Sequence, residues 1–253
     1  MDSTNYLEWN KNSHETIVCI HGFADNASMF VPLQKIFPGK RILSINLPMN
    51  LNRTATYNIP ELSKYVSELL DNMHLTQYSL IGFSLGGLIA TELAWQDPRA
   101  KNLVLLNSFP SLSVVKPVSK YLFNLKPLLK QKPVLYLYSR TNTNQLVRRI
   151  GGAPQLPSKT INHMRKSYIS VFGTLLNCLS YQGVGKYKKI TIPKTIILFK
   201  DDKALSYKTI SKYAWQNEIE IKTVEHGGHN ATDDYWVSAE NVLRSSIDKN
   251  NPA

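Results

Sequence analysis

The chain has 253 residues, enough for one large domain or two small ones, either with room for a sizeable core. Apolar residues make up 43% and charged residues 19%, which excludes a disordered chain, and no apolar run approaches the ~18 residues of a spanning helix. The net charge of +12 belongs entirely to the middle of the chain: residues 1–97 and 201–253 each hold six Lys/Arg and nine Asp/Glu, whereas residues 98–200 hold 18 Lys/Arg and no acid.

The opening MDSTNYLEWN lacks a basic n-region and an apolar h-region, so no secretory signal is expected. Cys19 and Cys178 make neither a disulfide framework nor a zinc set, and they read as buried thiols in a reducing, cytoplasmic compartment.

In chain order, residues 16–20 (TIVCI) predict a buried strand that runs into His21-Gly22. Residues 41–46 (RILSIN) predict a second strand, stopped at Leu47-Pro48. From Pro60 to about Asn72 the apolar positions Leu62, Tyr65, Val66, Leu69 and Leu70 recur at helical spacing. Residues 78–81 predict a short strand, 85–95 a helix with its glycines at the start, and 103–107 (LVLLN) another buried strand. Apolar strands alternating with helices predict an α/β fold, with a mostly parallel central sheet covered by helices on both faces.

At residue 110 the pattern changes. Lys-Pro occurs three times, and helices are predicted around 114–125, 145–150 and 159–179. The sheet pattern resumes with 195–199 (TIILF), a helix after Ser206, a strand near 219–224 and a closing helix over 233–247. Residues 1–109 and 190–253 thus read as a core, and 110–189 as an inserted, basic helical cap.

Gly82-Phe83-Ser84-Leu85-Gly86-Gly87 follows a strand and opens a helix. In that setting G-x-S-x-G makes a sharp turn that lifts the serine hydroxyl above the sheet. The helix start aims the Leu85 N–H at developing negative charge, and the loop His21-Gly22-Phe23 is in position to supply a second oxyanion donor from Phe23. A serine needs a base, and the base needs an acid to fix its tautomer. His229 lies between the last strand and the last helix, with His226 as its competitor; His14, His74 and His163 read as surface or cap residues. Asp201 and Asp202 both follow TIILF at the carboxyl edge of the sheet. The order Ser…Asp…His is met by Ser84, Asp202 and His229.

With these residues the sequence resembles the α/β-hydrolase fold family over essentially its whole length, in segments 20–23, 82–87, 196–205 and 227–230. The family's acid usually lies in a segment of the form strand-G-x-x-D-x-x-[VL]. Aligning Leu205 with its last position implies Asp202, with Phe199 standing where the family has glycine. Asn46-Leu47-Pro48-Met49 departs from the D-x-P-G-x-G of many members, at a segment that is structural in most of them. A dehalogenase of this fold would need Asp at the elbow, and Ser84 argues against it. In layout and cap charge the chain is similar to the pimeloyl-acyl-carrier-protein methyl ester esterases of biotin synthesis.

The resemblance implies a serine carboxylesterase without a metal or organic cofactor. Its acyl ester substrate would be presented by an acyl carrier protein docking on the basic cap, where Arg148, Arg149, Arg165 and Lys166 are the candidate contacts. With no acid inside the stretch, these cations are expected to lack local counter-charges. A lipase or lysophospholipase at an anionic membrane, an acyl thioesterase and a non-catalytic binding protein on the same scaffold are the alternatives. No recognition motif for nucleic acid accompanies the charge.

Overall fold

The computed structural model describes residues 4–23, 25–51, 54–111, 114, 131–141 and 168–248. Strands β1 (Tyr6–Trp9), β2 (Thr16–Ile20), β3 (Arg41–Ile45), β4 (Tyr78–Phe83), β5 (Ala100–Leu106), β6 (Lys194–Phe199) and β7 (Ile221–Val224) form a sheet in the order β1-β3-β2-β4-β5-β6-β7. β1 pairs antiparallel with β3, and the remaining pairings are parallel.

Side chains on a strand alternate between faces, so a sheet covered on both sides needs strands that are apolar throughout. Val18, Ile20, Leu80, Leu103, Leu105 and Ile196 pack in one cluster. Their neighbours Ile17, Cys19, Ile81, Val104, Leu106 and Ile197 pack in the other. The connecting helices are α1 (Leu33–Ile36), α2 (Pro48–Leu51), α3 (Ile59–Asn72) and α4 (Leu85–Gln96). The first cluster takes Leu62 and Val66 of α3 and Leu88 and Ile89 of α4, while the second takes Leu33 and Ile36 of α1. α3 begins one residue before Pro60 because Asn58 caps it: its side chain accepts from the Glu61 N–H, and Glu61 accepts from the Asn58 N–H.

β1 is absent from the sequence expectations. It is a half-buried edge strand of four residues, held by pairing with β3 and by the Glu8–Arg41 ion pair at 2.6 Å. Within 110–189 the described helices are α5 (Lys132–Thr141), α6 (Tyr168–Cys178) and α7 (Val184–Lys189). α5 is also absent from those expectations; Pro133 occupies its first helical turn, where a missing N–H costs nothing. α6 lies inside the expected 159–179 helix. The expected helices at 114–125 (apart from Val114) and 145–150 lie outside the described residues.

The two ends of this stretch meet. Ser111 and Gln182 form an antiparallel bridge, the Ser111 hydroxyl is 2.9 Å from Gln182 Oε1, and the Gly183 N–H donates to the Pro110 carbonyl at 2.7 Å. Lys186 of α7 lies 2.6 Å from the buried carboxylate of Glu92 on α4, which also accepts from the Tyr181 hydroxyl. Arg99 pairs with Asp97 and Asp71, and Lys200 with Glu225. Folding therefore gives these three cations counter-charges from the flanking segments, a correction to the expectation that the stretch has none. The chain closes with α8 (Tyr207–Gln216) and α9 (Asp233–Ile247); α9 adds Tyr235, Trp236, Ala239 and Leu243 to the second cluster. No helix among the described residues is long and apolar enough to cross a membrane.

Candidate active site

Because β2, β4, β5, β6 and β7 are parallel neighbours, the loops after them open along one edge of the sheet. Those loops carry, in spatial order, Gly22-Phe23, Ser84, Asn107, Asp202 and His229.

Ser84 has φ 51° and ψ −118°, a conformation that costs a non-glycine residue roughly 1–3 kcal/mol. Its backbone is held on both sides: the N–H donates to the Leu106 carbonyl at 3.0 Å, and the carbonyl accepts from the Ser108 hydroxyl at 2.6 Å. The turn is too tight for a side chain at its flanks. A Cβ on Gly82 would lie 2.5 Å from the Gly86 carbonyl oxygen, and one on Gly86 would lie 2.0 Å from that of Ile20.

His229 Nε2 lies 3.0 Å from Ser84 Oγ, and His229 Nδ1 lies 2.7 Å from Asp202 Oδ2. A carboxylate only accepts, so Nδ1 carries the proton and Nε2 is free to accept from the serine hydroxyl. Both His229 and Asp202 are buried. Asp202 Oδ1 accepts from the N–H groups of Ala204 (2.7 Å) and Leu205 (2.9 Å), while Oδ2 accepts from Asn107 Nδ2 (2.8 Å) as well as His229. Four donors thus meet the four lone-pair positions of one carboxylate.

Asp201 and His226 are turned elsewhere. Asp201 accepts from the N–H groups of Gly227 (3.1 Å) and Gly228 (2.9 Å) and so shapes the loop that carries His229. Burial would raise the Asp201 carboxyl, but those N–H groups outweigh it and hold the carboxyl below the usual range. The His226 side chain is 88% exposed. Phe199 stacks on Tyr235 at 4.4 Å, and a Cβ on Gly227 would lie 2.2 Å from the Phe199 ring, so the bulky residue at the family's glycine position is matched by a glycine opposite it.

On the loop after β2, the Leu47 N–H donates to His21 Nε2 at 3.1 Å, which leaves Nδ1 to donate to the Gly22 carbonyl at 2.8 Å. In a trans peptide C=O and N–H point oppositely, so this bond turns the Phe23 N–H to the other side. Burial pushes His21 down to about 4, against the bond to Gly22, so the ring is neutral at neutral pH. Leu85, at the first position of α4, is buried beside Ser84. Asn46 clamps the same region: it accepts from the Ala27 N–H and donates to the Thr4 carbonyl, so the segment that departs from the family pattern is structural here too. Burial lifts Asp25, on this loop, to about 6, against the Asn26 N–H and the attraction of His229.

From residues 110–189, Phe172 of α6 packs on Phe23 with ring centroids 5.9 Å apart, and Thr174 accepts from the Tyr57 N–H at 3.1 Å. Arg148, Arg149, Arg165 and Lys166 lie outside the described residues. Sequence reasoning missed Asn107 and Tyr235. The available signal was a polar residue ending an otherwise apolar strand, next to the elbow strand.

The model of the family described as the alpha/beta hydrolase fold matches residues 15–234. The chain belongs to the α/β-hydrolase family. This α/β hydrolase is 31% identical over 109 residues to an uncharacterized hydrolase, YugF, of Bacillus subtilis, covering 40% of this chain and 39% of that protein. It is 33% identical over 96 residues to a pimeloyl-[acyl-carrier protein] methyl ester esterase of Shewanella oneidensis, covering 37% and 35%. The aligned stretches therefore span well under half of these relatives. Among solved structures, an enol-lactonase from Burkholderia xenovorans superposes with a TM-score of 0.74 at 14% identity, over 96% of this chain and 95% of that one, a likeness of fold.

Proposed function

We propose that this α/β hydrolase is a serine carboxylic-ester hydrolase. One observation carries the reading: the unbroken hydrogen-bonded series from Ser84 Oγ through His229 to Asp202, at 3.0 and 2.7 Å, on a strained serine at a helix start. Ser84 Oγ attacks the ester carbonyl carbon as its proton passes to His229 Nε2. The oxyanion is held by the N–H groups of Phe23 and Leu85, and Asp202 stabilises the imidazolium. The tetrahedral centre collapses, and the alcohol leaves with the proton from His229. A water then gives a proton to His229 and attacks the acyl-enzyme, releasing the carboxylic acid and restoring Ser84.

The specific substrate we propose is the methyl ester of an acyl chain on an acyl carrier protein, with residues 110–189 as a cap over the site. Its support is residues 110–189, which hold 14 Lys/Arg and no acid, the likeness to the Shewanella esterase, and Phe172 of that stretch packed on the oxyanion loop. Arg148, Arg149, Arg165 and Lys166 would steer an acidic carrier and grip its phosphopantetheine phosphate. The test is turnover of matched acyl methyl esters, free and carrier-bound, beside the corresponding thioesters. Preference for the carrier-bound oxygen ester is expected; preference for thioesters, or indifference to the carrier, would overturn the substrate while leaving the hydrolase reading in place.

A further inference from the structure

Asn107 sits at the end of β5 with its side chain buried between the loops after β6 and β7 and helix α9. Its backbone has φ 43°, in the left-handed region that Asn tolerates better than most residues, and its N–H continues the ladder to the Ile197 carbonyl at 2.9 Å. Nδ2 donates both hydrogens, one to Asp202 Oδ2 at 2.8 Å and one to the Gly228 carbonyl at 2.7 Å. Oδ1 accepts from the Tyr235 hydroxyl at 3.2 Å. The two acceptors fix which end of the amide is nitrogen, because a flipped amide would set Oδ1 against both of them; Oδ1 is then left to accept from the Tyr235 hydroxyl.

We infer that Asn107 is a positioning residue for the reaction: it holds Asp202 Oδ2 and the His229 loop together so that Asp202 meets His229 Nδ1, and the Tyr235 hydroxyl completes the bonds of its amide. The inference rests on the ester-hydrolase reading. The carboxylate oxygen that faces His229 has no backbone donor of its own among its described bonds, since Ala204 and Leu205 both serve Oδ1. Asn107 supplies the second donor to Oδ2 and the tie from that carboxylate to the residue preceding His229. The titratable groups facing this amide are Asp202 after β6, His229 after β7 and Tyr235 on α9. Asp201 and His226 are turned toward Gly227, Gly228 and solvent, and Asp25 acts on His229 from the loop after β2.

The test is the rate at which a fluorophosphonate labels Ser84, measured against pH, with melting curves establishing that each variant is folded. Asn107→Asp keeps shape and backbone preference but sets a second carboxyl against Asp202. While protonated it can serve only one of its two acceptors, and once ionised it repels Asp202. We expect labelling of Asn107→Asp to fall as pH rises, along a limb that the wild type lacks. Asn107→Gly tolerates the left-handed backbone and deletes the amide; labelling at pH 7 should fall about 10- to 100-fold, the range for a lost hydrogen bond to a charged group. Tyr235→Phe keeps the ring stacked on Phe199 and should lose a few-fold with no new limb. A merely structural Asn107 would lower melting temperatures and leave the pH profile of the folded protein unchanged. Labelling of Asn107→Asp and Asn107→Gly within twofold of wild type across pH would overturn the inference alone. A folded wild type that is not labelled at Ser84 would overturn it together with the hydrolase reading.

Discussion

Asp202 and His229 meet at 2.7 Å, Oδ2 to Nδ1, while the adjacent Asp201 spends both of its oxygens on the backbone of the loop leading to His229. Two neighbouring carboxylates thus hold one histidine in different ways, one through its ring and one through its loop. Asp202→Asn should lower kcat about 10³–10⁴-fold, because an amide can present a donor to Nδ1 and stabilise the wrong tautomer. Asp201→Asn keeps one acceptor and should cost less than about tenfold. Steady-state kinetics on any turned-over ester separates them, and the reverse ranking would make Asp201 the orienting acid.

Ser84→Ala should abolish turnover by several orders of magnitude and melt close to wild type. Ser84→Gly should be the more stable of the two. Relief of the strain at φ 51° outweighs the entropy that glycine adds to the unfolded chain, leaving about 1 kcal/mol. Urea midpoints at constant slope measure this, and a Ser84→Gly protein less stable than Ser84→Ala would mean that the elbow is not strained.

The elbow was legible in the sequence because its constraints are local: Gly82 and Gly86 stand where a Cβ would strike the Gly86 and Ile20 carbonyls. The strands were legible because both faces are buried, which leaves continuous apolar runs. Asn107 was not, since its three partners, Asp202, Gly228 and Tyr235, come from three other segments brought together only by the parallel sheet. β1 was hidden by its four-residue length and half-buried pattern, and α5 by a proline that reads equally as a break or as a first turn. Asp202 over Asp201 came from the resemblance, and the geometry gives it a physical basis in the Ala204 and Leu205 N–H groups that receive its other oxygen.

Stability should fall on mild acidification through His21. Its folded value of about 4 lies below the ordinary 6.5, so the unfolded chain binds the extra proton between these values. This contribution is complete above pH 6.5 and is lost as pH falls toward 4, by about 3 kcal/mol at one fully buried site. Asp25 is displaced the other way, to about 6, so it favours the folded state at low pH and offsets this slope over roughly pH 4–6, by up to about 3 kcal/mol. Urea unfolding of wild type and Asp25→Asn from pH 7 to 4 checks both: the variant should be the steeper. A flat wild-type profile with an equally flat variant would mean that His21 protonates without cost.

Reversing Arg148 and Arg149, or Arg165 and Lys166, to Glu should leave a small soluble ester turned over at the wild-type rate, since Ser84 is untouched. Hydrolysis of the carrier-bound ester should fall about tenfold or more, mainly in kcat/KM, and the wild-type reaction on it should weaken with added salt. Equal loss on both substrates would make these residues supports of the cap instead of contacts for a carrier.

The central claim, that Ser84 is a nucleophile activated by His229 and Asp202, is tested most directly by intact-mass spectrometry after exposure to a fluorophosphonate. The wild type should gain one phosphonyl group, mapped by proteolysis to the peptide bearing Ser84. Ser84→Ala should gain none, and His229→Ala should gain it far more slowly. A folded wild type that stays unmodified, or that carries the group on another residue, would contradict the account.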